Sequence, residues 1–370
     1  MTSLDLFCQE NIEKLREEKK LRSLKDFTFQ SDLHITWEGK KYLNFASNDY
    51  YGLAANKEVC SAAKQAIDAF GVGGTSSRLV VGNYSLYGVL ERNLAAYKNT
   101  ESSVVFGSGY LASISLIPAL FDKNDLIITD KLIHACLLDA VKLSGAKLIR
   151  FAHNDVNQAE AILQEKRKEY KKAVIITETV FSMDGGRGKV DELIDLARKY
   201  NSYVITDDAH GIGLNEAFDS YENHIQMGTL SKGIGAYGGY VAGSKSLCTY
   251  LASKARGLIY TTSLPVPVVA AAIKALELLK TDSNIIAKLK ENINILSSES
   301  GLDNSQTPIF VKEYGSIEKM QEARNSLLER GFYVADIRPP TSRTARLRIS
   351  VSGKHKREDL SELGRRLKSI

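Results

Sequence analysis

The chain has 370 residues, 44% of them hydrophobic and 25% charged, with a formal net charge of +5. That balance suits a globular enzyme with a large core, and acids alternate with bases even in "GKHKREDLSELGRRLKSI", so a solvated helix face explains the run better than a nucleic-acid stripe. Cys8, Cys60, Cys136 and Cys248 lie far apart without metal-ligand spacing, the N-terminus lacks a basic-then-apolar leader, and "VPVVAAAIKALELL" is broken by Lys274 and too short to span a bilayer; a reduced, cytosolic protein without a metal is expected.

Leu4, Phe7, Ile12 and Leu15 fall near helical spacing and predict an amphipathic N-terminal helix. "HITWEGKKYLNF" predicts a hairpin turning at Glu38-Gly39. From about Ser47 to Lys280, strand-like runs such as "SSVVF", "DLIITD", "AVIITETVFSM" and "SYVITDDAHG" alternate with helical ones. The rhythm predicts an α/β fold with a mostly parallel central sheet covered on both faces. Beyond about residue 281 come "TPIFVKEY", a helix, a strand "YVADI", "ARLRISVS" and a last helix, which predict a smaller α+β domain. The expected organisation is an arm over 1–46, a large domain over 47–280 and a small domain over 281–370.

In such sheets ligands bind beyond the carboxyl ends of the strands. Gly107-Ser108-Gly109-x-x-Ala112 lies between a strand and a helix, with Asp125 or Asp130 downstream. It fits a phosphate on a helix N-terminus, a loose dinucleotide fingerprint or a plain tight turn. "TDDAHG" ends a strand at Asp207 and Asp208 with His210 close behind, "ETVFSMDGG" offers Glu178, Ser182 and Asp184, and His134 starts a helix. Each of these has a bland reading as a cap or core residue. Lys232, in "GTLSKGIGAYGG", has five glycines around it and hydroxyls at Thr229 and Ser231. A lysine that forms a Schiff base must be partly desolvated, and small neighbours would leave room for a flat ring. Lysine, strand-end acid and phosphate cradle together are what pyridoxal phosphate chemistry requires.

The segments "SNDYYGL", "GSGYLAS", "HNDV", "VFSMDG", "TDDAHG", "GTLSKGIGAYGG", "YTTSLP" and "IRPPT…TARLRIS" resemble the α-oxoamine synthases, in order from about Arg22 to the C-terminus. The resemblance implies a fold-type I pyridoxal-phosphate-dependent transferase that condenses an amino acid with an acyl thioester, as a homodimer with active sites at the interface. "RFAHNDV" and "ADIRPPT" are most similar to the branch using L-alanine and a pimeloyl thioester, on coenzyme A or an acyl carrier protein. A glycine-using relative such as glycine C-acetyltransferase is the alternative inside the family; outside it stands an NAD-dependent Rossmann oxidoreductase built on "GSGYLA".

Carried over position by position, the resemblance implies that Lys232 binds the cofactor covalently and serves as the base at the alanine Cα. Asp207 would pair with the ring nitrogen, His210 and Ser182 with the phenolic oxygen, and His134 would stack on the ring. The phosphate would meet Gly109, Tyr110 and Thr229, with Thr261 or Thr262 reaching the neighbouring subunit's phosphate. Asn48 and Arg348 would hold the substrate carboxylate, Arg22 and Thr341 would contact substrate, and Glu178 would support the site. The chain departs from the family in three places. Only Ser342-Arg343 separate "RPPT" from "TARLRI" where a longer connector is usual, "LNEAFDSYENHIQ" is short, and Tyr87 stands where a histidine is frequent.

Overall fold

The computed structural model describes residues 2–29, 33–214, 218, 221–302 and 306–370; the short "LNEAFDSYENHIQ" segment lies partly outside them. Continuous apolar runs make its centre. All six residues of Ala173–Glu178 and all five of Leu126–Asp130 are buried, as strands covered on both faces require. They belong to a seven-stranded sheet in the order Ser102–Phe106, Gly239–Gly243, His224–Thr229, Tyr203–Asp207, Ala173–Glu178, Leu126–Asp130, Lys147–Phe151. Gly239–Gly243 runs antiparallel to both its neighbours, and the remaining pairs are parallel.

Alternation along the strands divides the core. Ile127, Val174, Ile176 and Ile205 pack with Ala112, Leu116, Leu137 and Val141 on one face. Leu126, Ile128, Ile175 and Val204 pack with Leu163, Leu193 and Ile194 on the other. The helices Gly109–Leu120 and Ala135–Ser144 therefore begin at the carboxyl end of the sheet, where the strand-end polar residues sit.

The arm opens with the helix Ser3–Glu17, started by a capping box between Thr2 and Asp5. It buries none of its residues, and Leu4, Leu6 and Phe7 are exposed. The expected hairpin pairs His34–Trp37 with Lys40–Asn44, and Glu38 and Gly39 both take positive φ, the combination of a tight two-residue turn. "YVADI" departs from expectation. Phe332–Tyr333 runs parallel beside Lys40–Asn44, whereas Ala335–Ile337 pairs with Ala345–Ser350. The change of sheet at buried Val334 splits one apparent strand into two. Ile309–Tyr314 completes the second antiparallel sheet on the other side of Ala345–Ser350, leaving Arg348 on its central strand.

Candidate active site

Register explains why the acids converge. Glu178 and Asp207 are direct partners on adjacent parallel strands, and Asp207 is in turn partner to Met227, so their side chains leave the same face of the sheet. Thr229, two residues beyond Met227, shares that face. These strand ends floor a cavity of about 250 Å³ whose wall includes Gly109, Tyr110, His134, Cys136, Ala209, His210, Ser231 and Lys232. A larger cavity, about 400 Å³, lies at the opposite end of the sheet among Phe121, Tyr203, His224 and Tyr250, and gathers no comparable set of groups.

The lysine amine is 2.7 Å from His210 Nε2. Burial pulls its pKa down, while Asp207 and Glu178 pull it back up. His210 is buried, and burial together with the charges of Lys232 and Arg348 drives its pKa well below the ordinary value, so it is neutral. Burial raises Asp207 against the pull of Lys232. It raises Glu178 further, with Asp207 adding repulsion. Each buried carboxyl thus disfavours charge on the other, and the Lys232 amine offsets that for both. Glu178 Oε1 has no hydrogen-bond partner among the described residues.

The opposite wall is the N-terminus of Gly109–Leu120, capped by the Ser108 hydroxyl on the Leu111 N–H, where free backbone N–H groups favour an anion. Thr229 closes the lysine loop, its hydroxyl 2.8 Å from the Gly238 carbonyl and 2.9 Å from Ser231 Oγ. Gly228 lines the cavity, and three other glycines of that loop are required by packing against the rest of the chain. A Cβ on Gly233 would press on Ile212 and Tyr51, one on Gly235 would fall 2.4 Å from Ala54 N, and one on Gly239 2.3 Å from the Ser108 carbonyl. Gly235 also has φ +69. They let the loop pack against the rest of the chain, and so hold Lys232 in place.

Arg348 reaches in from the small sheet. It donates from Nε to the Ser182 carbonyl (2.7 Å), from Nη1 to Ser350 Oγ (2.9 Å) and from Nη2 to Asn48 Oδ1 (3.1 Å). Arg22 donates to Thr341 Oγ1 at 2.5 Å, on the exposed surface. His134 caps its helix by accepting from the Cys136 N–H while lining the cavity. Ser182 touches Arg348 and is not on the cavity wall; Thr261 and Thr262 are also away from it, near the surface. Two residues went unnoticed in the sequence. Tyr50, buried inside "SNDYYGL", contacts His210, and the buried Cys136 lines the wall with its thiol pushed up to about 12 by burial, too high for a nucleophile.

The Rossmann reading does not survive the topology. Ser102–Phe106 is an edge strand beside an antiparallel neighbour, whereas a dinucleotide fold needs parallel strands there. Asp125 pairs with Lys172 and Asp130 with His153, so neither acid serves the Gly107 turn.

Comparison with known proteins agrees with the topology. Residues 40–367 match the model of the family described as aminotransferase class I and II. The 8-amino-7-oxononanoate synthase of Beijerinckia indica subsp. indica is 39% identical over 98% of this chain and 97% of its own. That of Granulibacter bethesdensis is 39% identical over 100% and 98%. Among solved structures, serine palmitoyltransferase of Sphingomonas wittichii superposes with TM-score 0.87 at 26% identity, covering 100% of this chain and 97% of the other. The 8-amino-7-oxononanoate synthase of Francisella tularensis gives 0.75 at 26%, covering 89% and 97%.

Proposed function

The chain belongs to the class I and II aminotransferase family, and on that premise we propose that it performs the 8-amino-7-oxononanoate synthase reaction. L-alanine is joined to a pimeloyl thioester, with loss of the thiol carrier and of carbon dioxide, as a step toward biotin. The observation that carries this reading is the Lys232 amine facing two buried strand-end acids, with the charge of buried Arg348 bearing on it.

The cavity fits pyridoxal phosphate. The unpartnered Glu178 Oε1 and the Asp207 carboxylate form a floor suited to a protonated ring nitrogen, and the helix N-terminus at Gly109 suits a phosphate. Gly109 and Tyr110 would bind that phosphate through their N–H groups, with the Thr229 hydroxyl beside them, and His134 would cover the ring. His210, on the cavity wall, would meet its phenolic oxygen, while Ser182, off that wall, holds Arg348. When bound, the group supplies an electron sink for the carbanion at the amino-acid Cα.

The chain's own residues do the rest. Lys232 holds the cofactor and then moves the Cα proton, a task suited to an amine whose pKa burial has lowered. Asp207 keeps a proton on the ring nitrogen. Arg348 and Asn48 grip the substrate carboxylate and so orient the bond that breaks. Arg22 and Thr341, paired at the surface, contact substrate. A second copy completes the site with Thr261 or Thr262, in a cytoplasmic homodimer. The thioester arrives on coenzyme A or an acyl carrier protein, both acidic partners for a chain of charge +5.

Product analysis after incubation with L-alanine, pimeloyl-CoA and pyridoxal phosphate tests the reading. 8-Amino-7-oxononanoate is the expected product. Turnover confined to glycine and acetyl-CoA would replace it with the glycine C-acetyltransferase reaction.

A further inference from the structure

A single line of hydrogen bonds runs through the interior from the substrate-carboxylate pair to the lysine. Arg348 Nη2 is 3.1 Å from Asn48 Oδ1, which is 3.1 Å from the Tyr50 hydroxyl. That hydroxyl is 2.6 Å from His210 Nδ1, and His210 Nε2 is 2.7 Å from Lys232 Nζ. Tyr50, His210 and Arg348 are buried and Asn48 and Lys232 half-buried, so the Tyr50 hydroxyl and His210 Nδ1 have one another rather than water as partners.

The chemistry of the end group fixes every direction along this line. Arginine only donates, so the Asn48 atom facing it is the carbonyl oxygen, which only accepts. Tyr50 therefore spends its one proton on Asn48. Its oxygen is left to accept, and His210 must supply the hydrogen from Nδ1. A neutral imidazole with its hydrogen on Nδ1 has a bare Nε2, and the Lys232 amine donates to it. We infer that Tyr50 is a positioning residue that fixes the tautomer of His210, and through it links the state of the Asn48–Arg348 pair to the hydrogen-bonding direction at Lys232.

The link has a consequence for catalysis that rests on the reaction assigned above. An amino-acid carboxylate only accepts, so seating it on Arg348 and Asn48 turns the Asn48 amide to present Nδ2, which takes Oδ1 away from the Tyr50 hydroxyl. That hydroxyl then donates to His210 Nδ1, which favours the tautomer with hydrogen on Nε2, facing the cavity. His210 thus accepts in the empty site and donates once the amino acid is seated. The charged or titratable groups bearing on His210 are Lys232, Arg348 and His134, and Tyr50 touches it directly. Tyr50 itself stays protonated, since burial raises it to about 12.

The test is Tyr50→Phe, which keeps the ring and removes only the hydroxyl. In protein free of cofactor and substrate, nitrogen-15 spectra of the imidazoles, with His210→Gln to assign the signal, should show wild-type His210 hydrogenated at Nδ1. The variant should shift toward Nε2. In the cofactor-loaded protein, the pH midpoint of the visible absorbance should move by about half a unit or more, since removing the hydroxyl changes hydrogen bonding to the ionising groups. Turnover should fall about tenfold with KM for the amino acid changed less, the pattern of a lost contribution to a proton-transfer step. An unchanged tautomer or an unmoved pH midpoint overturns the inference. Because the spectra need no substrate, their outcome is separate from whether 8-amino-7-oxononanoate is the product.

Discussion

The two aspartates of "TDDAHG" show how neighbouring residues of one type acquire different work. Asp207 ends its strand facing the cavity with Lys232. Asp208 points elsewhere, 2.7 Å from the Lys98 amine and 2.5 Å from the Thr179 hydroxyl, with both ion-pair partners buried. Asp207→Asn cannot hold a proton on a ring nitrogen, and turnover should drop at least ~100-fold, at the lower end of what a proton-holding group contributes, while chemical denaturation stays near wild type. Asp208→Asn leaves the Lys98 charge buried without its partner and should cost about 3–5 kcal/mol of stability, measured by urea unfolding, with the cofactor still binding. If Asp208→Asn stopped turnover at full stability, the two roles would have to be exchanged.

The loop from Phe181 to Arg187 is held by an imidazole between two carboxylates. His153 lies 3.1 Å from Asp130 through Nδ1 and 3.3 Å from Asp184 through Nε2, edge-on to the Phe181 ring. The same loop presents the Ser182 and Met183 carbonyls to Arg348 and Arg346. "HNDV" was thus legible as a motif, but its work was not, because Asp130 and Asp184 lie 23 and 31 positions away and only the fold brings them together. The two carboxylates raise His153 above its ordinary pKa of 6.5 against the opposing effect of burial. A raised folded-state pKa stabilises the protonated form. The contribution is therefore complete below about pH 6.5 and is lost as pH rises through the higher folded value. The melting-temperature gap between wild type and His153→Gln should be widest near pH 6 and narrow toward pH 9. A gap independent of pH would mean that the imidazole acts there only as a neutral strut.

At the scale of the whole molecule, the strand-and-helix rhythm, the strand-end acids and the lysine could be read from the sequence, since each is a local pattern. The antiparallel direction of Gly239–Gly243, the division of Phe332–Ile337 between two sheets and the partners of Tyr50 could not. These depend on contacts between distant segments. The surface poses the remaining question. Leu79, Val80 and Val81 are 56%, 73% and 74% exposed, on a segment joined to the Thr262 region by the Ser77–Thr262 bridge and by Ser263 N–H donation to the Ser76 carbonyl. Adjacent exposed aliphatic residues suit an apolar contact, and this run adjoins the threonines proposed for the second copy's phosphate. Val80→Asp together with Val81→Asp places two charges where apolar contact is needed while touching no buried residue of the single chain. Sedimentation should show wild type at about twice 40.8 kDa and the double variant at the single-chain mass. Turnover should fall at least ~10-fold as a group contacting the phosphate is lost, with the melting temperature of the single chain still measurable. A variant that remains dimeric and fully active would place the interface, and the Thr261 and Thr262 contribution, elsewhere.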